Sequence, residues 1–184
     1  MTLSSLLCEP FSRYAARVLH AAPALAEALP TLATRPVTRA WMETRLDALC
    51  AGAPMGAGIG MTVGARADVD ADGRGPAEQG GIRPDEARLK QALRRLRAEV
   101  CLIVMERDLA GHADVAEVTA AMADLAELSI QRALDVLDAE LRETFGAPLG
   151  ETEGLPLSLG VVGMGKLGGP RAQCVVGHRP DLRL

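Results

Sequence analysis

The strongest hydrophobic pattern in the chain begins near residues 84–86 and predicts a long amphipathic helix. Pro84 suits the first turn of a helix, and the acidic Asp85 and Glu86 suit the positive end of the helix dipole. Apolar residues then recur every three or four positions and form one stripe, made of Leu89, Leu93, Leu96, Val100 and Ile103. We expect this stripe to face a core.

A second long helix is predicted after Gly111. Asp114 and Glu117 have the spacing of a capping box, with Asp in the place of the usual Ser or Thr. The pattern ends at Gly146, and its apolar positions are Val115, Val118, Met122, Leu125, Val136 and Leu141. Two long helices joined by a short turn pack antiparallel, so residues 84–150 are predicted to form an antiparallel helical pair.

Shorter amphipathic segments fill residues 1–50, which we interpret as an amino-terminal helical segment. Helices are predicted over residues 12–20, 24–29 and 37–50, with Pro23 and Pro30 acting as breaks. Only four residues are aromatic, two Phe, one Trp and one Tyr, so the core must consist mainly of aliphatic side chains on helices. The expected fold class is therefore mainly α.

The helical pattern is lost over residues 51–83, where Gly, Ala, Pro and Asp predominate, and we predict a flexible linker there. The linker divides the chain into two helical parts. The stretch from Asp68 to Gly73 resembles the start of a calcium loop. Its twelfth position is Gln79 rather than Glu, so a solvated acidic loop is the favoured interpretation.

Composition restricts the classes of partner. The formal net charge of −4 provides no broad basic surface for nucleic acid. No uninterrupted apolar run approaches the ~20 residues that a membrane span requires. The four cysteines show no paired C-x-x-C spacing. We therefore expect a cytoplasmic protein with reduced thiols and with neither nucleic acid nor membrane as a partner.

The segment Leu157-Ser-Leu-Gly-Val-Val-Gly-Met-Gly-Lys-Leu-Gly-Gly169 carries the clearest candidate chemistry. It combines a short apolar run, typical of a buried strand, with glycines that let backbone approach a phosphate. Gly163, Gly165 and Gly168 satisfy the dinucleotide pattern G-x-G-x-x-G, but Pro170 follows where a helix should open. A P-loop does not fit, because Lys166 is followed by Leu. A glycine turn without a ligand also remains open.

The string Gly-Met-Gly-Lys-Leu-Gly-Gly ending at Gly169 resembles the opening of the nucleotidyltransferase motif in the bifunctional glutamine synthetase adenylyltransferase/adenylyl-removing enzymes. Similarity extends upstream over 93–97, 106–111 and 113–117 and on to Leu141. The resemblance implies that helical segments lead into the first strand and glycine turn of a truncated α+β nucleotidyltransferase domain, which begins at residues 151–169.

The same resemblance implies a function. The family transfers AMP between ATP and a tyrosine of glutamine synthetase, and it removes that AMP by phosphorolysis in an amino-terminal domain, the half that this chain resembles. By motif correspondence Gly168 and Gly169 lie at the nucleotide-contacting turn, with Gly163, Gly165 and Lys166 as flanking candidates. Mg²⁺ and ATP are the implied cofactors. Glutamine synthetase is the implied partner, and a PII-type signalling protein is a further one.

Residues 170–184 depart from the family, in which the glycine pair precedes a segment resembling Arg-Glu-Leu-Asn-Val-Ser-Ser-Asp-Ile-Asp. That segment supplies two magnesium-binding aspartates, and this chain has no Asp-x-Asp after Gly169. One choice of codons for the tail, read one base later, encodes Arg-Glu-Leu-Asn-Val-Ser-Ser-Asp-Ile-Asp-Leu-Ile-Phe-Val. We therefore interpret residues 170–184 as an out-of-frame tail without stable structure, and we expect neither a catalytic nor a metal-binding residue in this chain.

Two further function classes stay open at this point. A non-catalytic helical module could bind glutamine synthetase or a PII-type regulator through its amphipathic faces. A dinucleotide-binding oxidoreductase fragment is the third class. Among polar residues, Glu106, Arg107 and Asp108 either form a solvated helix face or a buried network against the nucleotide domain. The arginines 94, 95 and 97 either face solvent or pair with acids such as Glu99.

Overall fold

The computed structural model describes residues 6–56, 86–150, 157, 159–163 and 175–176, and these are mainly helical, as predicted. The helices are α1 (Cys8–Phe11), α2 (Arg13–Ala21), α3 (Pro23–Leu32), α4 (Arg39–Cys50), α5 (Glu86–Leu109) and α6 (Val115–Phe145). Two short strands, β1 (Gly160–Val161) and β2 (Val175–Val176), pair antiparallel. Within the described ranges, no helix combines the length and the apolar character that a membrane crossing requires.

Side-chain caps explain where several helices begin. Asp114 accepts a hydrogen bond from the backbone N–H of Glu117 at 2.7 Å, which confirms the predicted start of α6. Ser12 caps α2, and Thr38 caps α4 in the same way. The prediction that Pro30 breaks the chain was wrong, because Pro30 lies inside α3. The helix ends two residues later, at Leu32, so the missing N–H of Pro30 removes one hydrogen bond in its last turn only.

The helices on both sides of residues 57–85 pack into one core. Buried apolar side chains come from all of the helices α1 to α6, and the helix pairs α4–α5, α5–α6 and α4–α6 are all in contact. The predicted stripe of α5 is confirmed, since Leu89, Leu96, Val100 and Ile103 are buried and Leu93 packs against them. The amino-terminal helices and the long helical pair therefore form a single packed unit, α1 to α6, which we call the helical body. The predicted linker lies largely outside the described residues.

A buried ion pair joins α4 to α5. The side chains of Arg45 and Glu99 are 2% and 0% exposed, and two N–H groups of the guanidinium donate to the two carboxylate oxygens at 2.6 Å each. Arg45 also donates to the carbonyl of Pro54 at 2.7 Å. This fork-to-fork geometry fixes both the separation and the rotation of the two helices.

Gly56 connects the segment after α4 to the same carboxylate. Its backbone N–H donates to Glu99 Oε1 at 3.0 Å, and its φ is +74°. A Cβ at this position would lie 2.5 Å from the Cα of Leu25 in α3. Only glycine therefore fits, and Glu99 holds α4, α5 and the chain leaving α4 together at one point.

We expect Glu99→Gln to destabilise the protein by about 3–5 kcal/mol, because it leaves the Arg45 charge buried without its counterion. Urea unfolding measures this change. Glu43→Gln is the control: Glu43 pairs with Arg39 at the surface, where such pairs contribute about 0–1 kcal/mol. Equal losses in the two variants would contradict the structural role of the buried pair.

A second buried carboxylate caps the shortest helix. Glu106 of α5 accepts the backbone N–H groups of Leu7 and Cys8 at 2.9 Å each, where α1 begins. The Cys8 thiol is fully buried, and its burial together with the neighbouring Glu106 carboxylate raises the pKa of Cys8 to about 12. Ionisation of this thiol is thus suppressed across the neutral range.

We expect Cys8 to resist alkylation by iodoacetamide at pH 8 in the folded protein, since the thiolate is the reactive species and the folded pKa of Cys8 lies far above this pH. Cys101 is only partly buried and should react sooner, although burial raises its pKa as well. Peptide mass spectrometry at timed intervals measures both rates. Labelling of Cys8 as fast as that of Cys101 would contradict this arrangement.

Candidate functional site

The glycine segment, residues 157–169, is predicted to contact nucleotide, and it includes β1. Gly163 follows two residues after β1 and is half-buried. The other four candidates, Gly165, Lys166, Gly168 and Gly169, lie outside the described residues. Their nucleotide-binding roles, and that of Gly163, stay predictions.

The described part of the tail forms a strand. Val161 pairs with Val175 and Gly160 with Val176 in the antiparallel β1–β2 ladder. The expectation of an unstructured tail was therefore wrong for these two valines. Valine as a residue type favours extended backbone whichever reading frame encoded it, and β1 offers an edge with which to pair.

The last turns of α6 hold the chain that enters β1. Arg142 donates from Nη2 to the carbonyl of Leu157 at 2.8 Å, and the N–H of Leu157 donates to the carbonyl of Pro148 at 2.7 Å. Asp138 accepts from Nε of Arg142 and so orients its guanidinium. The carboxyl end of α6 thus positions the start of the glycine segment.

Besides the Arg45–Glu99 pair, a cluster of charged and polar groups around Arg107 joins α3, α5 and α6. Arg107 is 4% exposed, and its Nε and Nη2 donate to the two carboxylate oxygens of Glu117 at 2.7 and 3.0 Å. The guanidinium also donates to the carbonyl of Ala33 at 2.9 Å and to that of His112 at 3.0 Å. All of these partners belong to the helical body, so the cluster closes the α5–α6 junction and contacts the end of α3.

Neither of the two alternatives for residues 106–108 holds for all three side chains. Glu106 and Arg107 are buried, whereas Asp108 is exposed. The Glu106 carboxylate binds the start of α1, and Arg107 binds Glu117 of α6 and the carbonyl of Ala33 after α3.

For arginines 94, 95 and 97 the alternatives were a solvated helix face or pairing with acids such as Glu99. Glu99 binds Arg45 of α4 instead. Arg94 and Arg97 are exposed, as on a solvated face, and Arg95 is half-buried.

Other reactive side chains form no catalytic arrangement within the described ranges. His20 and His112 are exposed at helix ends, and the Ser129 hydroxyl donates to the carbonyl of Leu125. No group of three His, Cys, Asp or Glu side chains in this part of the chain could hold a metal ion. Every buried side-chain nitrogen and oxygen there has a hydrogen-bond partner. The buried charged side chains accordingly hold the helices together.

Sequence reasoning missed Arg45 as a buried residue. The signal was its position in α4, where Met42, Leu46 and Leu49 are buried and Arg45 shares their side of the helix. A charged residue on the apolar face of a helix indicates a buried partner of opposite charge. The periodicity of α4 predicts that such a partner exists, but it does not identify Glu99.

Comparison with known proteins identifies the family. The family model described as "Glutamate-ammonia ligase adenylyltransferase" matches residues 80–171. A bifunctional glutamine synthetase adenylyltransferase/adenylyl-removing enzyme of Burkholderia mallei is 49% identical over 166 residues, which are 90% of this chain and 15% of that protein. The enzyme of the same name from Ralstonia nicotianae is 36% identical over 86% of this chain and 14% of its own length.

No solved structure matches the chain significantly. The chain spans about 15% of the length of the relatives with the most extensive matches. The family match covers α5, α6, β1 and the glycine segment, so it includes both the helical pair and the candidate nucleotide site. The chain belongs to the glutamate-ammonia ligase adenylyltransferase family.

Proposed function

We propose that this chain is the amino-terminal part of an enzyme that adenylylates and deadenylylates glutamine synthetase, and that it leads into the adenylyl-removing domain. The observation that carries this proposal is the extent of the family match, whose bounds, residues 80–171, include α5, α6 and the glycine segment. The names of the relatives state both activities. This match favours nucleotidyl transfer over a dinucleotide-binding oxidoreductase.

We attribute residues 170–184 to a one-base shift in the reading frame. The family match ends at Arg171, two residues after the glycine pair. One codon choice for the tail encodes Ser-Ser-Asp-Ile-Asp when it is read one base later. In each shifted codon the observed residues restrict most of the first and third bases and leave mainly the middle base free. Chance agreement of the shifted translation with the family segment along the whole tail is therefore improbable.

The tail after Gly169 and the described helices do not fit a magnesium site. The tail contains a single acidic residue, Asp181, and lacks the paired carboxylates that bind magnesium in nucleotidyl transfer. The described helices add no alternative group of metal ligands. Mg²⁺ and ATP thus belong, in this proposal, to the longer protein that the shifted frame encodes.

The glycine segment supplies the phosphate-facing backbone in this proposal. Gly168 and Gly169 lack side chains, so their N–H groups can approach a phosphate closely, while Gly163, Gly165 and Lys166 flank that turn. The Leu157 contacts with Arg142 and Pro148 support this role, because they tie the entry of the segment to a rigid helix. A positioned turn without its metal ligands can bind phosphate but cannot neutralise the charge of the transfer step.

The helical body serves in this proposal as the part that faces macromolecular partners in the cytoplasm. Glutamine synthetase is the first such partner, because the relatives are named for acting on it. A PII-type regulator is the second, on the basis of the family resemblance. A purely binding function for the 184-residue chain remains the competing proposal.

We expect the purified 184-residue chain to show no magnesium-dependent transfer of AMP to glutamine synthetase and no removal of AMP from it. The reason is that the tail after Gly169 lacks the paired carboxylates that bind magnesium in this family. The measurement follows radiolabelled AMP on glutamine synthetase, with a longer chain whose frame is restored after Gly169 as the positive control.

Three outcomes separate the proposals. Removal of AMP by the frame-restored chain alone supports the enzyme assignment. Magnesium-dependent turnover by the 184-residue chain contradicts the missing metal site. Capture of glutamine synthetase by both chains, without turnover by either, favours the binding module.

A further inference from the structure

Helix α6 has two apolar sides, and the core uses only one of them. Its amino-terminal half buries Ala121, Leu125 and Leu128 against α4 and α5. In its carboxyl-terminal half, Leu137, Leu141 and Phe145 lie four residues apart and are all exposed. Leu141 follows Leu125 by 16 residues, which is about 160° of rotation at 3.6 residues per turn. The second stripe therefore points away from the core that the first one fills.

Exposed apolar residues continue past the end of α6. Leu149, Leu157 and Leu159 are exposed, and the hydrogen bonds of Leu157 to Pro148 and Arg142 keep this segment beside the last turns of the helix. We call the six residues the apolar end face: Leu137, Leu141, Phe145, Leu149, Leu157 and Leu159. Six large apolar side chains at one end of a body mark a surface that another structure covers.

The surroundings of the apolar end face indicate its occupant. The face runs directly into β1, which pairs with one two-residue strand in the described part of the chain. A two-stranded ribbon is marginal in water without further strands or a supporting helix. Further strands beside β1 would extend the ribbon into a sheet. The same sheet, packed on α6, would cover the apolar end face.

We propose that the apolar end face is the docking surface for the rest of the nucleotidyltransferase domain, whose first strand is β1 and whose remaining chain is encoded in the shifted frame. This inference rests on the proposed function. It adds a specific interface, in which Leu137, Leu141 and Phe145 of α6 pack against that domain. The match to only 15% of the length of a relative leaves ample chain for such an occupant.

Hydroxyl-radical footprinting tests this interface with an internal control. Phe145 and Phe11 are 81% and 77% exposed in the 184-residue chain, so they should be oxidised at similar rates there. In the frame-restored chain we expect oxidation of Phe145 to fall roughly fivefold or more, because an interface core excludes water, while Phe11 stays unchanged. Oxidation of Phe145 at the Phe11 rate in both chains overturns the inference.

A matched pair of substitutions separates docking from general folding effects. Leu141→Gln places a polar group in the proposed interface, and Glu140→Gln makes the same residue at the adjacent exposed position. In the frame-restored chain, Leu141→Gln should restore oxidation of Phe145 and Glu140→Gln should not. Neither should shift the unfolding midpoint of the 184-residue chain appreciably. Identical footprints for the two variants contradict the interface.

The remaining outcomes identify other occupants. Protection of Phe145 in the 184-residue chain that increases with protein concentration assigns the face to a second copy and overturns the inference. AMP removal is assayed on the same frame-restored preparation. Turnover with an unprotected Phe145 overturns the docking surface alone, whereas protection without turnover supports the surface and counts against the proposed function.

Discussion

The helical body depends most on the ion pair between Arg45 and Glu99. Two charges that are 2% and 0% exposed are stable only when their geometry satisfies nearly every donor and acceptor. Arg45 meets this demand with two hydrogen bonds to Glu99 and one to Pro54, and Glu99 accepts a further one from Gly56. The pair thus sets the rotation of α4 against α5, and these two helices form the platform on which α6 lies.

The position of α6 then determines where the candidate chemistry lies. The Arg107–Glu117 pair holds the first turns of α6 against α5, and Arg142 near its other end binds the carbonyl of Leu157. Polar contacts at the two ends of α6 consequently hold the helix against the core and tie the entry of the glycine segment to it. Along the same helix, the apolar surface changes from the core side to the opposite side. In our proposal, α6 therefore lies between the helical body and the nucleotidyltransferase domain.

Sequence periodicity and capping were sufficient to predict the long helices. The stripe from Leu89 to Ile103 faces the core, and Asp114 caps α6 as its spacing to Glu117 predicts. These features are local, because each depends on residues within one or two helical turns. The partner of Glu99 could not be predicted in this way, since Arg45 is 54 positions distant and lies on another helix.

Other misses have equally specific causes. Pro30 is accepted in the last turn of α3, where only one hydrogen bond is lost, and propensity alone gives no such positional information. Neither alternative for Glu106, a solvated helix face or a network against the nucleotide domain, holds, because its carboxylate caps α1 by accepting the N–H groups of Leu7 and Cys8. The glycine segment was recognised from its residues and their resemblance to a family. The match of that family to residues 80–171 confirms the membership.

We predict that one base separates this chain from a complete nucleotidyltransferase motif, and the most direct test is to sequence the coding DNA from the Leu157 codon to beyond Leu184. We expect that correcting one base near Gly169 gives Ser-Ser-Asp-Ile-Asp and that the frame stays open beyond it. A confirmed sequence whose shifted frame encodes other residues, or stops at once, would contradict the frameshift.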